Sequence, residues 1–185
     1  GAIHVHDGVN FNRLSTAIDL SSVMCTEGER GSMSVTMHPD FEQNGYIYIF
    51  YVRQAPGGSC PLPEDDRTPD PNGPTTRLSR FTLEASNTID LLSEKVILDI
   101  GPVGVVHFGG HAAFGKDGYL YVTKGDLGLN PEGANPAPTS NSLFGKILRL
   151  TDDGGIPSDN PYTGGDSVRC NDSRALTLGS AESRE

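Results

Sequence analysis

The sequence has no tryptophan, no initiator methionine and no apolar run approaching the roughly 18 residues that a membrane helix needs. No membrane partner is therefore expected. The start, Gly1-Ala2-Ile3-His4-Val5-His6, lacks the basic-then-apolar pattern of a leader, and Ile3, His4 and Val5 read as the middle of a strand. The chain accordingly reads as an incomplete piece of a longer protein. Cysteine is scarce: Cys25, Cys60 and Cys170 share no metal-ligand spacing, and no metal residues are assigned. Positive charge is also short, with 14 Lys and Arg against 24 Asp and Glu, for a net charge of -10 and a pI near 4.8. Such a surface repels phosphate backbones, so no nucleic-acid partner is expected. A Gly-x-Ser-x-Gly elbow is missing, and Gly145-Lys146 runs into Ile147 where a phosphate loop would carry Ser or Thr.

Glycine and proline are plentiful, at 23 and 13 residues. Turn residues at that density suit many short strands joined by loops. Met33, Val35 and Met37 alternate with small hydroxylated residues over 32–37, the period of a half-buried strand. After the turn signals Pro39-Asp40 and Asn44-Gly45, the run Tyr46-Ile47-Tyr48-Ile49-Phe50-Tyr51-Val52 is apolar on both faces, which predicts a central strand buried on both sides. Residues 55–75 contain six prolines and the cluster Glu64-Asp65-Asp66, and predict a long exposed loop. The acidic cluster matches no calcium-loop spacing and reads as a solvated face. Further strands are predicted at 76–83, 96–100, 119–122 and 145–150. No helix longer than a turn or two is expected, the best short candidate being 89–95.

Cys60 lies in the Gly/Pro-rich loop, and Cys170 adjoins the sequon Asn171-Asp172-Ser173. Both suit an oxidising compartment, with buried reduced thiols as the alternative, and an odd count leaves one cysteine without a partner in this chain. The internal repeat says more. Asn44-Gly45-Tyr46-Ile47-Tyr48-Ile49 and Asp117-Gly118-Tyr119-Leu120-Tyr121-Val122 are near copies set 73 residues apart. With the 21-residue loop set aside the spacing is 52, close to the ~40–50 residues of a propeller blade. A blade cannot bury its faces alone, so propellers need roughly four to eight of them. The predicted fold is an all-β propeller of which only two to three blades are present.

Several motifs in order carry a resemblance: Gly28-Glu29-Arg30-Gly31, His38-Pro39-Asp40-Phe41, Arg77-Leu78-Ser79-Arg80-Phe81, His107-Phe108-Gly109-Gly110, Gly125-Asp126, Leu143-Phe144-Gly145-Lys146 and Ile156-Pro157-Ser158-Asp159-Asn160-Pro161. The chain resembles the glucose/sorbosone dehydrogenase family, with 1–185 as part of its propeller domain, six-bladed in the family. The better-known members are quinoproteins that use pyrroloquinoline quinone (PQQ) with calcium. The resemblance implies oxidation of an aldose at C1, with His107 as the general base and Asp126, nineteen residues on, holding its imidazole. A carboxylate fixing one ring nitrogen leaves the other free to accept a proton, which suits a base near neutral pH. The alternative for His107 is a histidine that fills the channel without catalysing anything. Glu29 matches a channel-facing residue that contacts sugar in some members, or else is a surface charge. Gly109 and Gly110, lacking side chains, are expected to let substrate or a flat cofactor approach the backbone. His107 and His111 lie four apart, but the intervening glycines argue against a metal pair.

The sequence departs from the family at three places. Phe108 follows the histidine where many active members have Asn, and Gly31-Ser32-Met33-Ser34 replaces Gly-Leu-Leu-Gly. The Arg-Asn pair that binds the cofactor is missing from the tail 175–185. PQQ and calcium are therefore implied by resemblance, with binding residues mostly outside this chain. Two readings follow: part of a secreted or periplasmic sugar dehydrogenase, or a non-catalytic propeller binding a protein or glycan partner, as the hedgehog-interacting branch does.

Overall fold

The computed structural model describes residues 1–62, 72–101, 104–128 and 142–161. Among the described residues, nine strands form three antiparallel sheets. Strands β1 (Ala2–His6) and β2 (Arg13–Asp19) make a two-stranded sheet. Strands β3 (Ser32–Met37), β4 (Tyr46–Arg53), β5 (Thr75–Thr82) and β6 (Lys95–Ile100) make a four-stranded meander in that order. Strands β7 (Gly109–Phe114), β8 (Leu120–Lys124) and β9 (Lys146–Leu150) make the third.

Strand β4 shows why the sequence is apolar on both its faces. Ile47, Ile49 and Tyr51 pack on one side with Ala17, Ile18, Leu20 and Met24 of the first sheet and its exit. Tyr48 and Phe50 pack on the other with Ala112, Leu120, Val122 and Leu150 of the third sheet. The middle sheet is thus held between two neighbours, the stacking of propeller blades. Tyr48, Ile49, Phe50 and Val52 are fully buried, each contributing about 1.5–3 kcal/mol of hydrophobic stabilisation. Between the second and third sheets, β3 and β7 lie side by side, and the Ala112 amide donates to Ser34 Oγ at 3.1 Å. The repeated Asn/Asp-Gly-Tyr segments enter β4 and β8, each the second strand of its sheet, so the sequence repeat is a structural one. The count of one four-stranded, one three-stranded and one two-stranded sheet agrees with two to three blades.

Two local expectations need correction. The 41–44 segment, read as a turn, is one turn of α-helix, α1 (Phe41–Asn44), closed by Gly45 at φ 65°. A Cβ at Gly45 would meet Leu83 O at 2.6 Å, so the glycine also lets two blade loops touch. The 89–95 candidate shrinks to a single 3-10 turn, Leu91–Ser93, capped by Asp90 accepting from the Leu92 amide at 2.8 Å. Within 55–75, Ala55 and Ser59 close a tight turn and β5 already starts at Thr75; residues 63–71 lie outside the described residues. Cys60 of that loop forms a disulfide with Cys25, which lies between β2 and β3. Cys170 and the sequon at 171–173 lie outside the described residues.

Candidate active site

The connections before β3, before β7 and after β8 converge at one end of the sheets. His107 stands just ahead of β7 in a left-handed conformation, φ 55°, unusual for a residue with a side chain. Four contacts hold it there. Its amide donates to Glu29 Oε2 at 2.7 Å, and its carbonyl accepts from the Leu127 amide at 3.2 Å. The next carbonyl, of Phe108, accepts from the Gly125 amide at 2.8 Å. Its imidazole Nδ1 meets Asp126 Oδ1 at 3.2 Å. With Nδ1–H donating to that carboxylate, Nε2 carries the lone pair, and the ring is more than half exposed. Asp126 is itself oriented by the Gly128 amide, which donates to Oδ1 at 3.0 Å. That hydrogen bond, aided by His107 and opposed by partial burial, holds the Asp126 carboxyl below the usual aspartate range. The arrangement keeps a charged carboxylate behind an imidazole side chain that is more than half exposed.

Three of the five residues singled out from sequence therefore come together: Glu29, His107 and Asp126. Glu29 binds the His107 backbone through one carboxylate oxygen. Gly109 and Gly110 serve differently from expectation. A Cβ on Gly109 would fall 2.6 Å from the Gly125 amide nitrogen, and one on Gly110 would fall 2.3 Å from Met33 Sδ. Their side-chain space is filled by the protein's own backbone and core, so they admit β8 and β3, with no room on that side for a ligand. Gly125 was not singled out and is tighter still, since a Cβ there would sit 2.0 Å from the His107 carbonyl oxygen. Its Gly-Asp motif held the signal, but the reason for the glycine is a backbone crossing visible only in three dimensions. Phe108 turns inward and is buried with Leu127, Leu143, Phe144 and the Cys25–Cys60 disulfide. The identity of that residue thus sets the floor beneath the site.

The described residues around the dyad do not fit PQQ or calcium. Two carboxylates hold His107, Asp126 at its ring and Glu29 at its amide, whereas a quinone tricarboxylate needs cations. Lys124 is buried, with its ammonium on the Phe108 carbonyl, and Arg30 is buried against the carbonyls of Gly104 and Pro61. Among the described residues no cluster of three or more carboxylates suited to calcium is present. No step is derived through either group.

The family model described as glucose / sorbosone dehydrogenase matches residues 1–171. Quinoprotein glucose dehydrogenase B of Acinetobacter calcoaceticus is 34% identical over 155 residues, covering 75% of this chain and 30% of that protein. Human hedgehog-interacting protein is 27% identical over 143 residues, covering 72% of this chain and 19% of the relative. Among solved structures, the PQQ-bound aldose sugar dehydrogenase of Streptomyces coelicolor superposes with a TM-score of 0.68 at 23% identity, over 88% of this chain and 42% of that one. That likeness shows the propeller fold. The chain spans less than a third of the length of these two curated relatives.

Proposed function

The chain belongs to the glucose/sorbosone dehydrogenase family, and on that premise we propose that it forms part of a sugar dehydrogenase in which His107 takes the proton from an aldose C1 hydroxyl. The observation that carries this reading is the His107–Asp126 pair at 3.2 Å, on an imidazole side chain that is more than half exposed. Nε2 receives the proton, Asp126 stabilises the imidazolium that forms, and the Gly128 amide keeps Asp126 ionised for that task. Glu29 fixes the His107 backbone through Oε2, and its second oxygen is the group we assign to a sugar hydroxyl. PQQ with calcium is the cofactor system that family membership implies; the cations and oxygen ligands it needs belong to parts of the protein that the described residues do not include. A secreted or periplasmic location is supported by the Cys25–Cys60 disulfide, a bond favoured in oxidising compartments. Among the described residues no helix is long and apolar enough to cross a membrane.

Dye-linked oxidation of a panel of aldoses by the complete protein, supplied with PQQ and calcium, tests this beside His107→Ala. General-base loss should lower the rate by about 100-fold or more. A folded, cofactor-loaded protein without activity would sink the proposal.

A second reading has its own support. The match to human hedgehog-interacting protein and the acidic surroundings of the dyad favour a propeller that binds a protein or glycan partner without turnover. Saturable binding of such a partner, undisturbed by His107→Ala, would identify it.

A further inference from the structure

Strand β8 breaks its own pattern at the end nearest the site. Leu120 and Val122 pair across to Leu150 and Leu148 and pack on the middle sheet. The next rung pairs Lys124 with Lys146, on the same face by the period of two. Lys124 is 3% exposed. Its Nζ donates to the Phe108 carbonyl at 3.3 Å and lies 5.4 Å and 5.1 Å from the ring centres of Phe108 and Phe144. Packing alone would be served better by leucine or methionine, since a buried ammonium without a contacting carboxylate is unfavourable. What the amine adds is a second donor on the carbonyl that already takes the Gly125 amide. That carbonyl follows His107 directly, in the turn where His107 is left-handed.

We propose that Lys124 is a positioning residue for the base: its buried ammonium grips the Phe108 carbonyl, holds the left-handed His107 turn against the Asp126 turn, and loosens that grip on losing its proton. The inference rests on His107 acting as the base. A charged donor makes a hydrogen bond roughly twice as strong as a neutral one, so the proton matters to the grip. Burial pushes the Lys124 amine down to about 7, with the Asp126 charge pulling the other way. The other ionisable groups around it, among the described residues, are Lys146, whose Nζ donates to the Phe144 carbonyl at 3.1 Å, and His107 beyond Phe108.

The test follows the backbone amide resonances of His107, Gly125 and Leu127 from pH 5.5 to 9 in the protein, in Lys124→Met and in Lys124→Arg. The wild-type amides should move together with a midpoint near 7. Lys124→Met should abolish that transition, and Lys124→Arg should hold the low-pH positions throughout. Absence of the transition in the wild type, or its survival in Lys124→Met, would overturn the proposal. Should either variant fail to fold, the Lys124 side-chain carbon signals of the wild type decide: a midpoint near 7 supports the proposal, and one near 10.5 refutes it. In the oxidation assay Lys124→Met should lower kcat while leaving KM within about twofold. If the amides titrate as expected but no aldose is oxidised, the dehydrogenase reading fails while the gripping of the turn stands.

Discussion

Opening the Cys25–Cys60 bond should measurably weaken the whole fold. The two cysteines are 35 residues apart, and β3, α1 and β4 lie between them. For a loop of about that length, the chain-entropy relation gives a loss of about 13 cal/mol/K from the unfolded ensemble, or about 4 kcal/mol at 25 °C. The bond is also part of the floor under the site: Cys25 is fully buried and packs with Val52, Phe108 and Leu127. Replacing both sulfurs by alanine adds a small cavity, so about 4–5 kcal/mol is expected in total. The assay is urea unfolding of Cys25→Ala/Cys60→Ala, in a Cys170→Ala background so that no third thiol can exchange. With a slope of about 2 kcal/mol/M, the midpoint should fall by about 2 M. A fall of less than about 0.5 M would refute both the loop-closure argument and the structural weight placed on this bond.

Four further outcomes are expected. Gly125→Ala should separate His107 from Asp126, because the added Cβ collides with the His107 carbonyl; nuclear Overhauser contacts between the two turns should vanish, with a stability loss of about 1–3 kcal/mol. Asp126 should titrate below a free aspartate, so the stability it contributes is full above about pH 4 and disappears as pH falls through its lower folded-state value, readable by carboxyl carbon NMR. Lys124 has the same sign in a higher pH window: burial sets its folded value near 7, below the unfolded 10.5, so the native state binds fewer protons between the two. Unfolding free energy should then rise by up to about 5 kcal/mol from pH 7 to 10.5, a rise that Lys124→Met removes. Finally, the 185-residue chain alone should self-associate in light scattering through open sheet edges and exposed apolar groups such as Ile147 and Met37; a monomer with a cooperative melt would contradict this.

Periodicity made the strands of the middle sheet legible in the sequence, because β4 has to satisfy two neighbours and its composition shows it. β2 was harder, since Arg13-Leu14-Ser15-Thr16 is polar enough to resemble a loop and only Ala17 and Ile18 are buried. β7 escaped for a similar reason: Gly109, Gly110 and two alanines carry little strand propensity and are held by contact with β3 and β8. At the site, family motifs pointed to His107 and Asp126 as a pair and to Glu29 nearby. What no local pattern reveals is that Glu29 reaches the backbone of a residue 78 positions away, or that the Gly109 and Gly125 backbones press together. Lys124 did leave a mark, as the polar third member of Leu120-x-Val122-x-Lys124. Its meaning depends on burial, which alternation alone cannot supply.

The proposed base and the carboxylate that orients it both flank strands of the third sheet, within the 22 residues from His107 to Gly128. One hairpin therefore carries the pair, the glycines that let its strands close, and the lysine beneath. Such a unit is portable: it keeps its internal geometry whatever the opposite wall of the ring becomes. A lineage that gave up oxidation by altering the distant wall would feel little pressure to dismantle this hairpin, and one that regained it would not need to rebuild it. Packing of β7 on β3 ties the hairpin to its neighbour, but among the described residues the Glu29 contact is the tie that reaches the His107 backbone itself, so that contact is where the fate of the whole site would first be written.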